Sequence, residues 1–206
     1  MDDKIKDIYQ SQSTGDQQAS YDAWAAKYEQ DLCAMGYRIP ALAAGAFARF
    51  VPLDTAPILD AGCGGGIQAE PLVQMGYGPI IGLDLSDGML DVARAKGIYA
   101  QLHQGALGAE LQFEDNSMGA VLCIGTITPQ HAPPESFEGL LRVAKPGAPI
   151  IFSLRDDAAQ EPEYPARVQA LTDRGAWEGV WTSPSFQSMP YGAPEVTHRL
   201  HVYRKC

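Results

Sequence analysis

Cysteine is scarce in this sequence, and its few copies form no recognisable chemical motif. The four cysteines, Cys33, Cys63, Cys123 and Cys206, include no CxxC pair. No combination of cysteine and histidine has the spacing of a zinc site. We therefore expect free thiols, no bound metal and a reducing, cytoplasmic environment.

Long hydrophobic runs are also missing. No stretch reaches the roughly eighteen apolar residues that cross a membrane. The first six residues, Met1–Lys6, lack the basic start and apolar centre of a signal peptide. The sequence therefore predicts no membrane association.

Basic residues are the third shortage. The chain has 15 Lys and Arg against 25 Asp and Glu, which gives a formal net charge of −10. A partner with a phosphate backbone requires a surface rich in Lys and Arg, whereas the basic residues here are scattered. We expect a small-molecule substrate rather than a nucleic acid, and either a monomer or a homodimer.

What the sequence does contain, after residue 55, is an alternation of short apolar runs and helical patterns. Strands are predicted at 57–60, 80–84, 99–103, 120–124 and 149–154, with helices at 67–75, 88–95 and 135–143. The remaining pattern predicts a helix at 164–174, a strand near 177–181 and a closing strand at 196–203. Strands that alternate with helices form parallel sheets covered on both faces, so the predicted class is α/β, doubly wound.

The first fifty residues have a helical pattern. Residues 1–18 are polar and expected to be loosely structured or only partly helical, whereas Tyr21, Trp24 and Tyr28 recur at helical spacing on one face. A second helix is predicted at 41–50, because Pro52 follows it. The composition shifts after Arg155, but no boundary suggests a second domain, so we expect a single domain over 1–206. Its helical segment would cover 1–50 and its core 55–206.

The most informative stretch is a glycine-rich loop between two acidic strand ends. The run Ile58-Leu59-Asp60 leads into Ala61-Gly62-Cys63-Gly64-Gly65-Gly66, and the next strand ends in Asp84. A loop without Cβ atoms lets a ligand approach backbone N–H groups. Asp84 is placed to accept hydrogen bonds from two ribose hydroxyls. Asp60 is the candidate to hold the amino-acid end of a ligand, directly or through water.

The glycine spacing discriminates between cofactors. Gly62, Gly64 and Gly66 form GxGxG, and Ile67 stands where the dinucleotide fingerprint GxGxxG requires a glycine. An acid before the loop would repel a pyrophosphate, but two carboxylates suit a cationic cofactor without phosphates. S-adenosylmethionine is such a cofactor, and a nicotinamide oxidoreductase is disfavoured.

In these motifs the chain resembles the class I S-adenosylmethionine-dependent methyltransferases. The motifs that carry the resemblance are 58–66, 82–90, 111–121 and the LRVLKPGG-like turn at 141–148. Residues 21–28, 175–178 and 202–203 are most similar to the small Williams–Beuren-region methyltransferase-like group. The resemblance implies a Rossmann-like sheet of seven strands, mostly parallel with an antiparallel last strand. It also implies N-terminal helices that close over the cofactor as a lid.

The residues and the resemblance together give a set of cofactor-binding candidates. These are Tyr21, Tyr28, Asp60, Gly62, Cys63, Gly64, Gly66, Asp84, Leu85, Met89, Gly105, Ala106, Leu107 and Ile124. The family usually has an acid at the position of Ala106, which accepts a proton from the adenine amino group. Because this chain has Ala106 instead of the acid, we expect backbone groups to bind adenine, with help from Gln104.

The loop after the fourth strand, 125–131, is the candidate reaction site. His131 is the candidate general base for an oxygen or nitrogen nucleophile, with helix capping or simple solvation as the alternative. Tyr21 is a second catalytic candidate, because an aromatic ring beside a sulfonium stabilises the cation. Its alternative is ordinary helix packing. His198 and His201 face opposite sides of the last strand and are expected to be structural.

Motifs that are missing near this loop limit the chemistry. No Asn/Asp-Pro-Pro-Tyr and no acid follow the fourth strand, so methylation of a base amino group and a catechol-type magnesium site are not expected. The predicted reaction is direct in-line methyl transfer to an oxygen, nitrogen or sulfur nucleophile of a small molecule. Two alternatives stay open: a non-methylating reaction of the cofactor that releases methylthioadenosine, and a non-catalytic cofactor-binding subunit.

Overall fold

A pair of N-terminal helices precedes an α/β core in the computed structural model, which describes residues 14–129, 131–157 and 160–206. The helices are α1 (Thr14–Ala34), α2 (Ile39–Phe50), α3 (Glu70–Gln74), α4 (Asp87–Lys96), α5 (Ser136–Val143) and α6 (Glu163–Asp173). The strands are β1 (Ile58–Ala61), β2 (Ile80–Asp84), β3 (Gln101–Gln104), β4 (Ala120–Cys123), β5 (Pro149–Arg155), β6 (Trp177–Thr182), β7 (Phe186–Met189) and β8 (Ala193–Lys205). None of the helices in these ranges has the length and hydrophobicity to span a bilayer.

The strands form one sheet in the order β3-β2-β1-β4-β5-β8-β6, and β7 also pairs with β8. Strands β1 to β5 are parallel to one another, whereas β8 is antiparallel to β5, β6 and β7. This confirms the α/β Rossmann-like class and the antiparallel last strand. The sheet has eight strands rather than the predicted seven. The additional strand, β7, has only four residues and lies in a stretch rich in Pro and Ser, so it has no detectable period.

Two apolar layers cover the sheet because neighbouring strand residues point to opposite faces. One layer contains Leu59 and Val121 with Phe137 of α5. The other contains Ile58 with Phe47 of α2. Strands β1 and β4 are buried along their whole length, as expected for parallel strands with helices on both faces.

Helix α1 is fastened to α4 at two points. Near the start of α4, the Oδ1 of Asp22 accepts hydrogen bonds from the backbone N–H of Gly88 at 2.8 Å and from the Ser86 hydroxyl. Near its end, Lys96 pairs with Glu29 at 2.6 Å. These contacts place α1 across the edge where the parallel strands end.

Helix α1 includes the last part of the polar N-terminal stretch. It is helical from Thr14, the first described residue, which agrees with the expectation of partial helicity up to residue 18. Helix formation is cooperative, so turns that precede a docked segment continue it at little cost. The part of this prediction that concerns residues 1–13 lies outside the described residues.

Candidate active site

A cavity of about 370 Å³ lies at the carboxyl ends of β1, β2 and β4, beneath α1. The predicted cofactor residues that line it are Tyr21, Tyr28, Gly62, Cys63, Gly64, Asp84, Leu85, Met89, Gly105, Ala106, Leu107 and Ile124. His131, the candidate base, lines the same cavity. The structure therefore gathers residues from five separate stretches of the chain around one space.

The glycine loop forms the floor of the cavity, and its shape depends on Gly62. This residue has φ +78°, and a Cβ there would lie 2.2 Å from the Thr126 hydroxyl oxygen. The N–H groups of Gly62 and Cys63 both donate to the Leu83 carbonyl, at 2.7 and 2.9 Å. The loop is thereby fixed to the end of β2, with its bare backbone turned towards the cavity.

Asp84 lies beside this loop and is held by two backbone donors. Its Oδ2 accepts from the Gly64 N–H at 2.8 Å, and its Oδ1 accepts from the Ser86 N–H at 2.9 Å. Burial raises the pKa of Asp84, while these N–H groups act in the opposite direction. A carboxylate has about four lone-pair positions, so each oxygen keeps one acceptor position for a ligand hydroxyl.

Asp60 and Gly66, two of the predicted cofactor-binding residues, are not among the residues that line the cavity. Asp60 is fully buried, and its Oδ2 accepts a 2.7 Å hydrogen bond from the Tyr99 hydroxyl. Burial raises the pKa of Asp60 to about 7. Gly66 faces the Tyr99 ring, which a Cβ would approach to 3.0 Å. Both residues therefore support the loop from behind.

Gln68 is the residue through which Asp60 acts on the loop. Its side-chain amide donates to Asp60 Oδ1 at 3.3 Å and to the carbonyls of Gly62 and Cys63, both at 3.1 Å. Gln68 was not among the residues predicted for the site. Its position directly after the glycines was the available signal, whereas nothing in the spacing connects Asp60 with Tyr99.

The wall beyond Asp84 is apolar and suits a flat heterocycle. It consists of Leu85 and Met89 from the start of α4, and of Ala106 and Leu107 after β3. Gln104, expected to help hold adenine, is not among the lining residues. Its amide donates instead to the Leu85 carbonyl at 3.2 Å.

The opposite end of the cavity is aromatic. The Tyr21 ring centroid lies 5.9 Å from that of His131 and 6.1 Å from that of Tyr28, so the predicted helix face does point into the site. The Nδ1 of His131 lies 2.7 Å from the Thr128 hydroxyl. Burial lowers the pKa of His131 to about 4, so its imidazole is neutral at pH 7.

Other lining residues were not named as cofactor-binding or catalytic candidates, although two of them, Gly125 and Thr126, belong to the predicted reaction loop 125–131. They are Tyr37, Gly65, Ile67, Gln68, Gly108, Ala109, Gly125, Thr126, Ala132 and Pro133. Most flank predicted residues, so a wider window would have included them, but Tyr37 lies between two helices without a motif. In the described ranges, no group of three or more His, Cys, Asp or Glu is arranged to hold a metal.

Comparison with known sequences relates this chain to methyltransferases. Residues 59–152 match the family model described as a methyltransferase domain. Over 196 residues the chain is 32% identical to human methyltransferase-like protein 27. This alignment covers 85% of this chain and 79% of the human protein. The chain is also 31% identical over 100 residues to the ubiquinone biosynthesis O-methyltransferase of Hahella chejuensis. This shorter alignment covers 47% of this chain and 42% of that relative.

Solved structures share the fold at low sequence identity. A methyltransferase of Thermotoga maritima, described as a possible histamine N-methyltransferase, superposes with a TM-score of 0.68 at 16% identity, over 90% of this chain and 98% of that one. The [4+2]-cyclase SpnF superposes with a TM-score of 0.64, also at 16% identity, over 81% of each chain.

Proposed function

We propose that this chain, which belongs to the class I S-adenosylmethionine-dependent methyltransferase family, transfers the methyl group of S-adenosylmethionine to a hydroxyl of a small molecule. The observation that carries the proposal is one cavity with Asp84 and the glycine loop at one end and a neutral histidine at the other. The partial likeness to O-methyltransferases favours oxygen over nitrogen or sulfur as the nucleophile.

The residues present fit S-adenosylmethionine. Asp84 keeps acceptor positions for ribose hydroxyls, and the backbone of Gly62, Gly64 and Gly65 lines the cavity beside it. Leu85 and Met89 offer an apolar wall for adenine. When bound, this cofactor supplies an electrophilic methyl carbon on a sulfonium.

His131 would accept the proton from the attacking hydroxyl. Because burial holds its pKa near 4, the imidazole is in the basic form at neutral pH. Tyr21 and Tyr28 would exclude water and orient the acceptor, since methyl transfer depends mainly on holding the nucleophile in line.

A second candidate is a non-methylating reaction on the same cofactor or with the cofactor bound. The likeness in fold to a [4+2]-cyclase makes this candidate specific, because that protein shares the scaffold and bears another activity in its name. The low pKa of His131 also makes it a weak base, and such a base suits a reaction with little proton transfer.

Product analysis tests the proposal. We expect the protein, incubated with S-adenosylmethionine and a panel of phenols and alcohols, to release S-adenosylhomocysteine, measured by mass spectrometry. The His131→Gln variant should lower its release by about 10²- to 10⁴-fold with unchanged cofactor affinity. His103→Gln, in β3 and outside the cavity lining, is the control. Methylthioadenosine as the main product, or no turnover with any acceptor, would contradict the proposal.

A further inference from the structure

A second, smaller pocket of about 70 Å³ adjoins the main cavity. The two share the lining residues Tyr21, Tyr28, Tyr37, Gly125 and His131, so the small pocket opens beside the candidate base. Its remaining walls come from α1, α2 and the β7–β8 hairpin, with His198 on β8. His131 and His198 therefore both line the small pocket.

His198 is the unexplained polar group of this pocket. It lies on β8 between β5 and β7, opposite Arg155 and Phe186 in the strand register. Its exposed fraction is 5%, and its Nδ1 is a buried atom with no hydrogen-bond partner in the described part of the chain. Native proteins rarely leave a buried ring nitrogen unpaired, so an absent ligand or water is the usual explanation.

The walls of the small pocket carry no charged side chain in the described residues. Trp24, Leu32, Ile39 and Met189 are apolar or aromatic. A charged group placed here would lose its hydration without gaining a counter-charge.

The charges nearest His198 are already paired. Arg155 binds Asp157 at 2.8 Å, and Asp156 binds Arg199 at 2.8 Å. Burial lowers the pKa of His198 to about 4, with Arg155 acting in the same direction and Asp157 and Asp156 opposing it. The histidine therefore offers a neutral hydrogen-bonding nitrogen rather than a positive charge.

From these observations we infer that the acceptor is an uncharged aromatic or apolar molecule with two polar groups, which extends from the main cavity into the small pocket. One is the reacting hydroxyl beside His131, and the other is a neutral group that hydrogen-bonds to His198. His198 is then a specificity-determining residue. The inference rests on the proposed function, because it names the substrate class of that same site.

Ligand pairs that differ in one group test this inference. The protein, alone and saturated with S-adenosylhomocysteine, is titrated with phenol and with the three dihydroxybenzenes, which place the second hydroxyl at different distances. We expect at least one dihydroxybenzene to bind about three- to tenfold more tightly than phenol, the gain of one neutral hydrogen bond. The charged analogues 3-hydroxybenzoate and 3-hydroxybenzylamine should bind more weakly than phenol.

Substitution of His198 assigns the preference to its ring nitrogens. His198→Phe removes both ring nitrogens and keeps an aromatic ring, so the advantage of the dihydroxybenzene over phenol should disappear. His198→Gln provides a second variant that retains a polar group. His201→Phe is the matched control, because it lies on the same strand and outside both cavities.

The outcomes separate the inference from the proposed function. Equal binding of charged and neutral ligands, binding of none of them, or a preference that persists in His198→Phe overturns the inference. Failure of S-adenosylhomocysteine to bind overturns the proposed function instead, and the titrations of the protein alone still decide the nature of the small pocket.

Discussion

Asp84 shows how a single side chain serves both the fold and a ligand. Its two oxygens accept N–H groups from the glycine loop and from the residues that begin α4. The carboxylate thereby fixes the distance between two backbone segments that both border the cavity. Its remaining lone pairs face the ligand space, so binding strength and loop shape depend on the same group.

Replacing Asp84 by Asn should weaken cofactor binding strongly. The amide has the same shape but loses the charge and half of the acceptor capacity, and its NH₂ would face a backbone donor. Losing one charge-assisted hydrogen bond corresponds to about a ten- to hundredfold higher Kd for S-adenosylhomocysteine, measurable by calorimetry. Asp91→Asn, at an exposed position of α4 beside Arg94, is the control. An unchanged Kd for Asp84→Asn would refute the assignment.

For single site residues, the sequence predicts those positions that depend only on their spacing from a strand. Gly62 and Asp84 each follow a strand, and this spacing alone is enough to place them at one edge of the sheet. Asp60 has the same local signal, yet it is fully buried and accepts a hydrogen bond from Tyr99, which belongs to a distant part of the chain. Such a tertiary partner leaves no trace in the spacing around Asp60.

The element that closes the site is α1, and its contact with α4 depends on a glycine. At Gly88 a Cβ would lie 2.9 Å from the Cα of Asp22, so the helix backbone comes close only because no side chain intervenes. The Asp22 carboxylate accepts the Gly88 N–H at the same point. Close approach and hydrogen bonding therefore reinforce each other.

Gly88→Ala should loosen α1 without unfolding the core. The added methyl would push Asp22 away, so we expect faster amide hydrogen exchange in α1 and a several-fold weaker affinity for S-adenosylhomocysteine. Gly45→Ala is the matched control, because nothing lies within 4 Å of a Cβ there. It should keep the affinity and stabilise α2 by up to about 1 kcal/mol. Identical behaviour of both variants would contradict this role of α1.

The secondary elements were easier to predict where a strong period exists. The four predicted strands that are buried and parallel all occur, and helix α4 was placed within one residue at each end. The weak strand predicted at 99–103 is β3 at Gln101–Gln104, an edge strand whose exposed residues carry little pattern. β7 was missed because its only partner is β8, so its pairing is entirely non-local.

For the whole molecule, buried titratable groups predict how stability depends on pH. Burial lowers the pKa values of His131, His198 and His201 to about 4, and raises that of Asp60 to about 7. Between pH 4 and 6.5 the unfolded chain binds more protons at each of these histidines, so their contribution to stability is lost as pH falls. Asp60 has the opposite sign, because its native form keeps a proton that the unfolded form has released.

We therefore expect the unfolding free energy to decrease from pH 6.5 to pH 4.5, because the three histidines outweigh Asp60 and Asp84, whose pKa values burial raises. Each group contributes a slope of up to about 1.4 kcal/mol per pH unit. Urea unfolding at a series of pH values measures the net slope. His198→Phe should make it shallower by one such contribution, whereas Asp60→Asn should make it steeper. A slope that neither substitution changes would contradict this account.

Strand β8 has a further consequence for how such a protein can diverge. It hydrogen-bonds to β5 on one side and to β6 and β7 on the other, and these ladders use only the backbone. His198 projects from one face of this strand, so its replacement leaves every rung of the ladder intact. If His198 contacts the acceptor as proposed, it can therefore be replaced during evolution without a change in the sheet. Relatives with another residue at this position should then differ in the compounds they modify.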